Sequence, residues 1–91
     1  QNIFPEQIES WFQAHGVDPV AVLQQRDPQL GNKAVLVTTG QHYSTDQLKA
    51  LSRDLPMHAK PRSFITVDSW PRLASGKTDL QALAAQLGTT T

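Results

Sequence analysis

The sequence predicts an α+β domain: a small, mostly antiparallel sheet of about three strands flanked by helices. Three observations carry that expectation. Short apolar and β-branched runs stand at Val20 to Leu23, Lys33 to Thr39 and Phe64 to Asp68, each bounded by turn-forming residues. Mostly apolar inner stripes recur at helical spacing in Ile8, Trp11, Phe12 and His15, in Leu48, Leu51, Ser52 and Leu55, and in Leu80, Leu83, Ala84 and Leu87. Gly16, Asp27-Pro28, Gly31-Asn32, Pro56 and Pro71 separate the two kinds of segment.

The first helix starts at Pro5, which suits a first turn, with Glu6 and Glu9 near the positive end of its dipole and Gly16 as its stop. Ile3-Phe4 is placed to fold back onto it, and Trp11 and Phe12 read as core. Pro19 confines the first strand to a start near Val20. Gln24 to Asn32 reads as a turn or a longer hairpin loop. In the second strand Val35 and Val37 share one face and Ala34 and Leu36 the other, so helices are expected to cover one side. Ser44 and Gln47 have capping-box spacing at the head of the next helix, which ends before Pro56. Met57 to Lys60, between prolines, reads as a rigid connector or a single turn. After the third strand, Asp79 is placed to cap the last helix, and residues 88–91 are expected to fray. Val35, Val37, Phe64, Ile65, Leu48, Leu51 and Trp11 are expected to share one core.

Ninety-one residues make one domain. Lys plus Arg and Asp plus Glu number 8 each, so charge gives no reason to expect nucleic acid or an anionic membrane as partner. The chain has no cysteine, hence no disulfide framework or thiolate metal site. His15, His42 and His58 lie on different elements without ligand spacing, so no metal site is expected. No apolar run approaches the ~18 residues of a membrane span, and a cytoplasmic setting is the default expectation.

The stretch that looks built for chemistry is Ala74-Ser75-Gly76-Lys77, a small flexible turn that holds a lysine between a strand and a helix. Gly76-Lys77-Thr78 matches the end of the P-loop pattern G-x-x-x-x-G-K-[ST], but the first glycine of that pattern falls on Pro71. Proline has no N–H for a phosphate and cannot take positive φ, so that reading fails. Lys60, Arg62, Arg72 and Lys77 cluster late in the chain as a candidate anion-facing rim.

Phe64 to Leu83, with its strand, Val67-Asp68, Pro71-Arg72 and Ala74-Ser75-Gly76-Lys77, resembles the end of the acyl-adenylate-forming enzymes. Those enzymes include acyl-CoA synthetases, the adenylation domains of nonribosomal peptide synthetases and luciferases. Two further stretches agree in order and spacing. Ile3-Phe4-Pro5-Glu6-Gln7-Ile8-Glu9 is similar to the family's Ile-x-Pro-x-Glu-Ile-Glu segment, and Leu55-Pro56 to Lys60-Pro61 to its Leu-Pro-x-x-x-x-Pro. Leu80 departs from the family, which often has arginine there.

The resemblance implies the mobile C-terminal domain of a larger enzyme, residues 1–91, most like an acyl-CoA synthetase. It implies Lys77 as the catalytic lysine of adenylation, with Ser75 and Gly76 supporting its loop. ATP, Mg2+ and coenzyme A would serve the full-length enzyme and none would be bound by this domain alone. The partners implied are an N-terminal ATP-binding domain in cis, a carboxylate substrate, and coenzyme A or a carrier-protein pantetheine. The alternatives are an adenylation domain that loads a carrier protein and, outside the family, a non-enzymatic module that binds an anion through the basic rim.

Overall fold

The computed structural model describes residues 4–29, 31–40 and 43–88. The elements run α1 (Pro5–Ala14), β1 (Val20–Asp27), β2 (Gly31–Thr39), α2 (Thr45–Leu51), β3 (Ser63–Val67) and α3 (Leu80–Gly88). Two single 3-10 turns, Ser52–Asp54 and Met57–Ala59, lie between α2 and β3. The sheet order is β1-β2-β3. β1 and β2 pair antiparallel from Val20↔Thr38 to Asp27↔Gly31, and β2 and β3 pair parallel from Val35↔Ser63 to Thr39↔Val67. The antiparallel ladder is the longer. The parallel one exists because the chain crosses between the strand ends through α2 and the two 3-10 turns.

The central strand explains the layering. Ala34 to Thr38 are all buried, so β2 is covered on both faces. On one face Ala34 and Leu36 pack with Ile8 and Phe12 of α1, Val20 and Val22 of β1, and Leu48 of α2. On the other, Val35 and Val37 pack with Ala21, Val67, and Leu83 and Leu87 of α3. The single core expected from the sequence is therefore two. Phe64 joins the first with Trp11 and Leu51, and its neighbour Ile65 joins the second. The cause is strand alternation, which sends successive side chains to opposite faces. For the same reason helices cover both sides of the sheet.

Polar contacts tie the layers together. The Trp11 indole N–H donates to the Leu51 carbonyl at 3.1 Å, which joins α1 to the end of α2. The buried Thr38 hydroxyl donates to the Pro19 carbonyl at 2.6 Å, and the Tyr43 hydroxyl donates to the Gly16 carbonyl. Gly16 has φ +89°, a conformation that suits glycine at a helix end. The capping box is complete: the Ser44 hydroxyl accepts from Gln47 N, and the Gln47 side chain accepts from Ser44 N.

Three local expectations change. Gln24 to Asp27 and Gly31-Asn32 are strand rather than loop, because a hairpin that projects beyond the core needs backbone pairing but no apolar side chains. The turn is held by Gln29 N donating to Asp27 Oδ1 at 2.8 Å. In α3 only Leu83 and Leu87 are buried, while Leu80 and Ala84 are exposed. The apolar stripe of that short helix is one residue wide per turn. Phe4 is exposed too; Ile3 and the tail residues Thr89 to Thr91, expected to fray, lie outside the described residues.

Glu9 joins α1 to the sheet: its Oε2 accepts from Val22 N at 2.8 Å. Desolvation raises its pKa, the Val22 hydrogen bond opposes the rise, and the Glu6 charge adds to it. A carboxylate whose folded pKa is raised binds its proton more tightly in the folded state, so ionisation costs stability as pH rises above its ordinary value of 4.5. Glu9→Gln keeps an acceptor for Val22 and cannot ionise. Its advantage over the wild type in urea unfolding should grow from about pH 4 to pH 7. An advantage independent of pH would refute the assignment.

Candidate functional site

The segment from Trp70 to Asp79 is a tight hairpin, not a flexible turn. Gly76 N donates to the Leu73 carbonyl at 2.9 Å and closes the reversal. Leu73 N donates to the Lys77 carbonyl at 2.8 Å, Arg72 and Thr78 form an antiparallel bridge, and Asp79 N donates to the Pro71 carbonyl at 2.9 Å. Gly76 has φ +92°, the left-handed conformation that a type I turn followed by a bulge requires at this position. A Cβ at Gly76 would meet no atom within 4 Å, so the demand for glycine is one of backbone conformation and not of space.

Side chains brace the same hairpin. Arg72 Nη1 donates to the Gly76 carbonyl at 2.9 Å. The Trp70 indole N–H donates to Thr78 Oγ1 at 2.9 Å, and the Trp70 ring packs against the second core. Asp79 leads into α3: its carboxylate accepts from Ala82 N at 3.1 Å and its carbonyl from Leu83 N at 3.0 Å. Lys77 is exposed, and its ammonium has no hydrogen-bond or ion-pair partner among the described residues. The backbone around it is committed and the charge is not.

The other expected site residues divide. Ser75 and Gly76 are exposed at the hairpin tip beside Lys77. Arg72 belongs to the hairpin through its bond to Gly76. Lys60 and Arg62 precede the first residue of β3, whereas Arg72 and Lys77 follow its last. Lys60 Nζ donates to the Ser52 carbonyl at 3.0 Å and the Arg53 carbonyl at 2.6 Å, where a cation meets the negative end of the α2 segment. Arg62 is exposed, with its backbone N bonded to the Ala34 carbonyl. Among the described residues no group of three or more His, Cys, Asp or Glu converges. His42 lies outside them.

Trp70 and Thr78 were not singled out as partners by sequence reasoning. The signal was present in Thr78, whose place after Gly-Lys completes the misleading P-loop pattern. The hairpin explains that threonine as the acceptor of an indole and puts Gly76-Lys77-Thr78 on a return arm rather than in a phosphate cradle.

The fold and site define a class: an α+β domain that presents a free lysine on a braced hairpin between strand and helix. No protein-family model matches the chain, and no curated protein matches it. Solved structures do. The chain is similar to a fatty acyl-CoA synthetase of Mycobacterium tuberculosis, at 28% identity and TM-score 0.78 over 99% of this chain and 19% of that one. It is also similar to an acyl-CoA synthetase of Brucella canis, at 25% identity and TM-score 0.76 over 96% of this chain and 18% of that one. An ATP-bound MatB of Rhodopseudomonas palustris matches at 27% identity and TM-score 0.78 over 94% of this chain and 18% of that one. The chain thus spans about a fifth of the length of the structures it matches. Over nearly its whole length the chain has the fold of the small C-terminal domain of acyl-adenylate-forming, or AMP-binding, enzymes. Among the described residues no helix is long and apolar enough to cross a membrane.

Proposed function

We propose that this chain is the mobile C-terminal domain of an ATP-dependent carboxylate–CoA ligase and supplies Lys77 to its adenylation half-reaction. The observation that carries the reading is the braced hairpin with its unengaged ammonium, on a domain with the C-terminal fold of adenylate-forming enzymes. In the first half-reaction a carboxylate oxygen attacks the α-phosphorus of ATP, an acyl–phosphate bond forms, and the bond to pyrophosphate breaks. In the second, a thiol sulfur attacks the acyl carbon, loses its proton, and AMP leaves.

The first step brings two anions into line. An ammonium is a compact charge with three donors on a long stem, so Lys77 can hold a carboxylate oxygen and an α-phosphate oxygen together. Its contribution grows where charge develops in the transition state. In this reading Arg72 is the rim residue that stands on the hairpin with Lys77, while Lys60 and Arg62 stand before β3, at its other end. Lys60 and Arg72 also share their charge with carbonyls. In this reading Mg2+ would be held with ATP by an N-terminal ATP-binding domain in cis. The similar structures include acyl-CoA synthetases, and in this reading coenzyme A is the acceptor, with a carrier protein as the alternative.

The division between domains is testable. The 91-residue chain alone, given ATP, Mg2+ and a panel of carboxylates, should release pyrophosphate only at background. A longer protein carrying the chain behind an ATP-binding domain should release it with at least one carboxylate. Carboxylate-dependent release by the isolated chain would overturn the reading.

A further inference from the structure

The sequence leaves one motif residue that the catalytic reading does not use, Thr78, and the structure supplies its partner, Trp70. The Trp70 indole N–H reaches Thr78 Oγ1 at 2.9 Å, immediately after Lys77, while Arg72 reaches the Gly76 carbonyl at 2.9 Å, immediately before it. Lys77 is thus flanked on both sides by side-chain bonds to its neighbours. Its own carbonyl is bonded to Leu73 N. Trp70 is itself anchored, half-buried against the second core with Ile65 and Leu23. Through one indole, the packed interior is connected to the arm that carries the lysine.

We propose that Trp70 and Thr78 are positioning residues, a latch that fixes the Lys77 arm relative to the sheet; this rests on the catalytic reading of Lys77. A two-stranded hairpin of this length is marginal by itself, so bonds to the core decide how far its tip wanders. A lysine whose backbone is fixed need order only its side chain when it meets the reacting oxygens. Without the latch the whole arm must be ordered, and displacements of about 1 Å at a reacting centre cost up to about 10²-fold in rate.

The test uses the longer, adenylating protein that carries this chain, with Thr78→Val, Thr78→Ser and Trp70→Phe. Valine keeps the shape of threonine and removes the acceptor, serine restores the acceptor, and phenylalanine keeps an aromatic ring but removes the N–H. Pyrophosphate exchange should fall roughly tenfold in Thr78→Val and Trp70→Phe and stay within about twofold in Thr78→Ser, with the KM for ATP little changed. Added to Lys77→Ala, Thr78→Val should cause no further loss, because residues that act through one group are not additive. A further loss in that background, or an equal loss in acyl transfer from a supplied adenylate, would show a merely structural role and overturn the proposal. Full exchange activity in Thr78→Val while Lys77→Ala is crippled would also overturn it and leave the lysine assignment standing. A harmless Lys77→Ala would instead remove the catalytic reading, and the latch proposal with it. Should Thr78→Val fail to fold by thermal melt, the loss in Trp70→Phe and its non-additivity with Lys77→Ala decide the matter.

Discussion

Lys77→Ala in the adenylating protein should slow acyl-AMP formation by on the order of 10²–10³, the loss of one well-placed transition-state donor. That corresponds to about 2.7–4 kcal/mol at 25 °C. ATP affinity should change far less, because an interaction made mainly in the transition state contributes little to ground-state binding. Transfer from synthetic acyl-AMP to the thiol should be nearly normal if the domain withdraws the lysine between the half-reactions. The structure makes this substitution a clean one. The side chain is exposed and has no partner among the described residues, and the hairpin's bonds use only the Lys77 backbone. Alanine therefore removes a charge without loosening the turn. The measurement is pyrophosphate exchange beside acyl transfer on the same preparation. Equal losses in both would mean that Lys77 serves the domain's placement, and the catalytic role would have to be abandoned.

What could be read in the chain beforehand follows the range of each interaction. The capping box depends on residues three apart, Ser44 and Gln47, and it forms as spaced. Asp79 caps α3 on the same local logic. The faces of β2 follow from alternation within one short run, so Ala34 and Leu36 separate from Val35 and Val37 as expected. Which helix covers which face depends on the chain path, and no periodicity carries that information. Hence one core was expected where there are two. The extension of β1 through Gln24 to Asp27 was hidden because its strand character lies in backbone pairing and its side chains are polar. At the site, Lys77 and its glycine were legible as a motif. The rigidity of the hairpin was not, since it depends on Trp70 and Thr78 meeting across a turn and on the packing of Trp70. Lys60 shows the converse. It was legible as charge, but its two carbonyl partners exist only because α2 ends in a 3-10 turn beside it.

The attachment of α3 carries the other large effect. Leu83 is fully buried at 0% exposure, and Leu80, one turn earlier on the same helix, is 51% exposed. Leu83→Ala should cost about 2–5 kcal/mol, the range for deleting a buried leucine side chain and leaving a cavity. Leu80→Ala should stay within roughly 0.5 kcal/mol, since it removes little buried surface and alanine is at least as good a helix former. A domain of this size holds roughly 5–14 kcal/mol in total, so the first change consumes a large share of its stability and the second almost none. The reason reaches the site: α3 is the outer layer of the second core, against which Trp70 also packs. Its first turn is bonded to Asp79, at the end of the hairpin's return arm. Loosening Leu83 should therefore weaken the frame that holds Lys77 as well as the fold. Urea unfolding of the 91-residue chain, followed by far-UV circular dichroism, compares the two variants on one scale. The midpoint should fall steeply for Leu83→Ala at unchanged slope and barely move for Leu80→Ala. Equal and small losses would mean that α3 is not packed on the sheet, and the two-sided core would be refuted with it.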